Sequence, residues 1–243
     1  MMKTAFKNSL VTYLACAVII SCAVASYLRN SVYQTPLRLW TATAAASPHM
    51  QRPHLNLGLA LKAAGLHEQA LQEFRTVLSI PRDDSIGMQD VYQEMGNLYF
   101  AAGRYDEAAA AYRIGLRYLP SSPMILNNLA VVLLKQERFE EAAAQAESAL
   151  AADPSMVLAM NTLGQIYVSQ GAIDKGIPLF KAAIEKAPQF AAPYMNLALA
   201  FERQGDYGAA YKYANAYAMA DKSPAARKRV EELLDRLQEK KQK

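Results

Sequence analysis

Small and apolar residues recur along this chain with a step of 34. A Leu or Met followed by a small residue stands at Met95-Gly96, Leu129-Ala130, Leu163-Gly164 and Leu197-Ala198. The same step joins Gly103, Glu137, Gly171 and Gly205, then Ala108, Ala142, Gly176 and Ala210, and then Pro120, Pro154 and Pro188. The pattern predicts two short antiparallel helices per unit, touching where small residues such as Gly96 and Ala108 let them close. Tyr92, Tyr99 and Tyr112 fill the space between them. A glycine such as Gly103 takes the turn because it accepts positive φ without a Cβ clash, and a proline such as Pro120 ends the second helix. Upstream, Leu57-Gly58, Leu61, Gly65, Ala70 and Phe74 make another unit, displaced by four extra residues around 81–87, which reads as a longer loop. Five units thus run over residues 51–222.

Such units are not stable alone, so both ends need caps. Over residues 223–243, Val230, Leu233, Leu234 and Leu237 form one apolar stripe on an otherwise charged helix. Ahead of the first unit, Thr35-Pro36 is a helix start with proline at the first position. Trp40 and Pro48 then fall where a second helix carries its aromatic and its terminal proline, so residues 29–50 hold a linker and a single capping helix.

Residues 89–120 carry Tyr92, Met95-Gly96, Tyr99, Gly103, Ala108, Tyr112 and Pro120. They resemble the tetratricopeptide repeat (TPR), whose pattern is W-x2-L-G-x2-Y, then A-x3-F, then P, over about 34 residues. Tyr and Met stand here for Trp and Leu, and Tyr for Phe. The resemblance implies an all-α fold: a right-handed TPR α-solenoid of five repeats with one continuous apolar core.

Residues 10–28 are uncharged, flanked by Lys3 and Lys7 before and Arg29 after, and long enough for a membrane span of about 20 residues. Three readings compete. An uncleaved transmembrane anchor keeps the basic residues 1–9 in the cytoplasm and places the repeats in the periplasm. A signal peptide would be cleaved at Ala23-Val24-Ala25. A lipoprotein would use Cys22, since Ile19-Ile20-Ser21-Cys22 resembles the bacterial lipobox with Ile for the usual Leu. Cys16 and Cys22 are the only cysteines, so the folded part has no disulfide framework.

The next stretch holds Tyr33, Leu39-Trp40, Ser47-Pro48, Arg52-Pro53-His54 and Asn56-Leu57-Gly58. It resembles the junction in multi-pass membrane glycosyltransferases of the O-mannosyltransferase type, where a last membrane helix leads into lumenal or periplasmic repeats. The resemblance implies an uncleaved helix. It does not bring the activity, because that chemistry lies on loops between many membrane helices.

At 243 residues, 52% apolar and 9% aromatic, the chain has no room for a separate catalytic domain beside the repeats. The formal charge of +4 is split into +2 over residues 1–28, +3 over 223–243 and −1 between, which disfavours a nucleic-acid-binding face on the body. His49, His54 and His67 form no helical pair with a carboxylate, and no glycine-rich phosphate loop occurs, so no metal, cofactor or catalytic site is expected.

The TPR resemblance implies a concave groove lined by positions 2, 5, 9, 12 and 13 of each first helix. The candidate partner-binding residues are Gln93, Asn97 and Phe100, then Met124, Asn127 and Val131, then Asn161 and Gln165, and finally Met195 and Leu199. Amides carry a donor and an acceptor for the backbone of a bound peptide, and methionine adapts to its side chains. The competing reading is that these amides solvate the surface or bridge neighbouring repeats. Lys62, Lys135 and Arg52 are too sparse for the clamp that grips chaperone tails. A surplus of tyrosines at Tyr211, Tyr213 and Tyr217 offers a second contact patch if exposed. The expectation is a non-catalytic scaffold that binds a protein or peptide at a membrane. The alternatives are a pilotin-like lipoprotein of type IV pilus assembly and an accessory subunit of a glycosyltransferase or polysaccharide machine.

Overall fold

Helices begin and end where the local chemistry dictates. Thr35 accepts a hydrogen bond from the Arg38 amide and Pro36 opens α1 (Pro36–Ala46). Ser122 and Asp206 cap later helices in the same way, through the amides of Ile125 and Ala209. Each such cap satisfies one of the four donors a helix start leaves open. The computed structural model describes Ser21, residues 35–81 and residues 86–241. The predicted membrane segment over 10–28, with Cys16 and Cys22, lies outside the described residues apart from Ser21. So do residues 82–85 of the long loop.

The chain divides into two compact units, Met1–Gly87 and Met88–Lys243. The first holds α1, α2 (Gln51–Ala63) and α3 (His67–Ser79). These are the predicted capping helix and the first helix pair. Within this unit, Gln51 is buried and its side-chain amide donates to the Val77 carbonyl at 2.7 Å, tying α2 to the end of α3.

The second unit runs α4 (Met88–Ala101), α5 (Tyr105–Tyr118), α6 (Pro123–Lys135), α7 (Phe139–Ala152), α8 (Val157–Ser169) and α9 (Ile173–Lys186). It continues with α10 (Ala192–Gln204), α11 (Tyr207–Ala220) and α12 (Pro224–Lys241). Within this unit each helix packs on the next, and the described residues contain twelve helices and no strand. This is an all-helical solenoid of four helix pairs closed by α12. Val230, Leu233 and Leu237 of the predicted stripe are buried against Tyr217, Ala210 and Ala214, with Leu234 half-buried beside them.

All five predicted turn residues adopt left-handed backbone: Gly65 at φ 77°, Gly103 at 72°, Glu137 at 58°, Gly171 at 81° and Gly205 at 84°. The residue after each donates its amide to the carbonyl five positions back, as Arg104 does to Tyr99 at 2.9 Å and Arg138 to Leu133 at 2.9 Å. That bond reverses the chain with its helix-end carbonyl satisfied. Glu137 is the exception in residue type, carrying a Cβ where the backbone favours none.

The helix crossings show a matching rule that the step alone did not reveal. A Cβ on Gly96 would stand 2.5 Å from the Tyr112 ring, one on Gly58 2.7 Å from Phe74, and one on Gly164 2.6 Å from Phe180. At the same two repeat positions the other pairs are Ala130 with Ala146 and Ala198 with Ala214, all fully buried. Where the second helix carries a ring, the first has glycine. Where both carry alanine, two methyl groups occupy the crossing instead.

Candidate functional site

The first helices of successive repeats present the same turn of their surface to one side, because 34 residues return the chain to an equivalent position. In the second unit this brings Val131, Leu134 and Lys135 of α6, Gln165 and Val168 of α8, and Leu199 and Arg203 of α10 around one cleft of about 370 Å³. Fully buried Phe180 of α9 lines its base. Three of the expected residues, Val131, Gln165 and Leu199, thus meet in one place. Met124 stands exposed at the start of α6, outside that cleft, and Gln93 and Met195 are half-buried. Phe100 is half-buried with its ring 5.6 Å from that of Tyr105.

The expected open row of amides is altered by hydrogen bonds between repeats. Asn97 Oδ1 accepts from the Tyr112 hydroxyl at 2.7 Å and from Asn128 Nδ2 of the next repeat at 3.2 Å. Asn161 is only 8% exposed, and its Oδ1 accepts from Asn196 Nδ2 at 2.7 Å. Asn127 is 5% exposed, and its buried Oδ1 has no hydrogen-bond partner among the described residues. Asn97 and Asn161 therefore join neighbouring repeats, while Gln165 keeps its amide at the cleft. Sequence reasoning missed Asn128 and Asn196, although the two lie at one repeat position, two steps apart. Burial, chiefly, with the nearby Glu94 carboxylate, raises the Tyr112 phenol above its usual range, so it stays a donor to Asn97.

A second set of amides was also missed. Gln136 donates to Asp106 at 2.7 Å and Gln204 to Asp174 at 2.9 Å, with Gln170 reaching Glu140 at 3.5 Å. Each ties the end of a first helix to the start of the second helix one repeat earlier. The signal was present as glutamine at a step of 34.

The charges near the cleft are arranged unevenly. Glu202 accepts from Arg236 at 2.7 and 2.8 Å and from Lys240 at 2.9 Å, both on α12. Burial alone would raise its carboxyl, but these two cations outweigh that and hold it below the ordinary carboxylate value. Arg203 donates through one nitrogen to the Val168 carbonyl at 3.1 Å. No carboxylate pairs with Lys135 or Arg203 among the described residues.

None of the cleft-lining side chains comes from α12, so the C-terminal helix leaves this part of the groove open. Two of the three surplus tyrosines are engaged in packing. Tyr217 is buried, and Tyr213 stacks on Phe201 at 5.6 Å and 8°. Tyr211 alone is well exposed, at 47%. Among the described residues, no three His, Cys, Asp or Glu side chains gather as a metal site.

Tetratricopeptide repeat models match residues 94–157 and 161–227, and a second such model matches residues 51–76. No curated protein sequence matches the chain. Among solved structures, it is similar to the APC/C hetero-tetramer Cut9-Hcn1, with 16% identity and a TM-score of 0.69. That match covers 83% of this chain but 38% of the other, so the chain spans well under half of that relative's length. It is also similar to YrrB, described as a TPR protein with an unusual peptide-binding site (19% identity, TM-score 0.59, 79% of this chain and 97% of that one). PilW, described as a widely conserved type IV pilus biogenesis factor, matches at 22% identity and TM-score 0.63, over 70% of this chain and 77% of its own. At these identities the likeness shows the fold.

Proposed function

Because this chain belongs to the tetratricopeptide repeat family, we propose that it is a non-catalytic scaffold that holds a protein or peptide partner in the cleft between α6, α8 and α10. The observation that carries this is the convergence of Val131, Leu134, Val168 and Leu199 around a concave opening that α12 leaves free. Apolar side chains interleaved with polar groups are the form in which peptide grooves gain affinity and orientation. We place the repeats at the periplasmic face of an inner membrane, anchored once through residues 10–28. Anchoring confines the repeats to a surface, where modest affinity suffices for assembly.

The test is photocrosslinking in native membranes, with the full chain carrying a photoreactive residue at Leu134 or, as a control, at Arg117 on the exposed part of α5. Capture of one defined protein from Leu134 and its loss in Leu199→Arg support the scaffold reading. Equal capture from both positions would overturn it.

A second reading, a pilotin-like lipoprotein, is supported by the fold shared with PilW and by the Ile19-Ile20-Ser21-Cys22 sequence. It changes the anchor rather than the cleft. Metabolic labelling with a palmitate analogue separates the two, since a Cys22→Ser-sensitive label is expected only of the lipoprotein.

A further inference from the structure

We infer that the cleft takes a peptide segment in which aliphatic side chains are flanked by carboxylates, an inference that rests on the scaffold reading and narrows its partner to a chemical class. The apolar part of the lining comes from Val131, Leu134, Val168 and Leu199, with the rings of Phe139 and Phe180. The two cations belong to α6 and α10, the helices on either side of α8. Lys135 and Arg203 thus reach one cleft from helices on either side of α8.

Neither cation has a carboxylate partner among the described residues. Glu202, the carboxylate next to Arg203 in sequence, is fully engaged by Arg236 and Lys240. One acidic residue, Glu137, lies on the lining against these two cations. The bond from Arg203 to the Val168 carbonyl fixes one edge of its guanidinium and leaves other N–H donors for an incoming carboxylate. Gln165, half-buried at the cleft and without a partner among the described residues, has both a donor and an acceptor for a peptide backbone. A ligand that satisfies all of these carries carboxylates beside aliphatic side chains and offers its backbone to Gln165.

The experiment uses the full chain in detergent micelles and three fluorescein-labelled peptides, each with its C-terminus amidated and its N-terminus blocked by the label. In all of them Leu alternates with one variable residue, which is Asp, Ser or Lys. Blocking the ends removes the terminal charges, and the label's own negative charge is common to all three peptides, so the variable side chain is the one difference between them. Fluorescence anisotropy at low salt is expected to rank them Asp, Ser, Lys, with the Asp peptide about tenfold tighter than the Lys peptide, the order of magnitude of two exposed charge pairs gained rather than opposed. Lys135→Glu, which breaks no hydrogen bond or ion pair among the described residues, should reduce that preference about threefold. The pair Lys135→Glu with Arg203→Glu should invert the order.

An unchanged order in both variants overturns the inference, as does a Lys peptide that binds as well as the Asp peptide. Absence of Asp-peptide binding up to about 1 mM overturns it as well. Equal binding of all three that Val131→Arg abolishes removes the acidic assignment but leaves the scaffold reading intact. An Asp preference that persists in Val131→Arg and Leu199→Arg places the peptide elsewhere and removes both.

Discussion

Substitution of Gly96 by alanine tests the matching of helix surfaces directly. The new Cβ would stand 2.5 Å from Tyr112 Cε1 and 2.7 Å from Cδ1 and Cζ, against an ordinary contact of 3.4 Å or more. Something must yield by nearly an ångström. The ring has nowhere to go, because Tyr112 is 2% exposed and its hydroxyl is bonded to Asn97. Overpacking of this kind costs about 1–3 kcal/mol, and the greater helix preference of alanine returns about 1 kcal/mol, so Gly96→Ala should destabilise by up to about 2 kcal/mol. Tyr112→Ala alone should cost about 3–5 kcal/mol. In the Tyr112→Ala background, however, the clash is gone and the repeat carries the alanine pair found at Ala130 and Ala146. There Gly96→Ala should stabilise by about 1 kcal/mol. The four proteins form a double-mutant cycle, read by guanidinium denaturation followed in far-UV circular dichroism. A Gly96→Ala effect of the same sign in both backgrounds would refute the matching rule.

The turns and the C-terminal cap give further tests. Glu137→Gly relieves a left-handed Cβ and should raise stability by about 0.5–1 kcal/mol, whereas Gly171→Ala, at φ 81°, should lower it by about 1 kcal/mol. Thermal melts of the two variants decide this, and shifts of equal direction would contradict it. Because the Glu202 carboxyl is held below its ordinary value, its contribution is fully present above that value, near 4.5, and is lost as pH falls through the lower folded value. The protection factors of α12 amides, corrected for the intrinsic exchange rate, should therefore fall as the pH drops below the ordinary carboxylate value, and Glu202→Gln should remove most of that pH dependence. An identical acid profile in the variant would disprove the role. In Glu202→Ala the loss should be about 1–2 kcal/mol, since the carboxylate is 8% exposed but its cationic partners are about half exposed.

The helices, turns and caps were legible in the sequence because each depends on neighbours within a few residues or on the 34-residue step. Glu137 illustrates this: its position in the repeat fixed a turn that its side chain would not suggest. The groove was legible in outline for the same reason, since the step keeps Val131, Gln165 and Leu199 on one surface. The state of its amides was not. Whether Asn97 and Asn161 face a ligand or a neighbour depends on how closely one first helix approaches the next, and that is set by the side chains packed between them. Likewise, the neutralisation of Glu202 depends on Arg236 and Lys240 reaching across from α12. No local signal in the sequence announces that contact.

The pairing of glycine with a ring, and of alanine with alanine, makes each helical hairpin an indivisible unit of inheritance. Duplicating or deleting a whole repeat carries both halves of the match together. A recombination event inside the turn would set glycine against alanine and leave a hole, or set alanine against a ring and force a collision. Arrays of this kind can change length only by breaking between repeats. The loops that hold Pro120, Pro154 and Pro188 are therefore the seams along which such a chain can be recut without losing its fold.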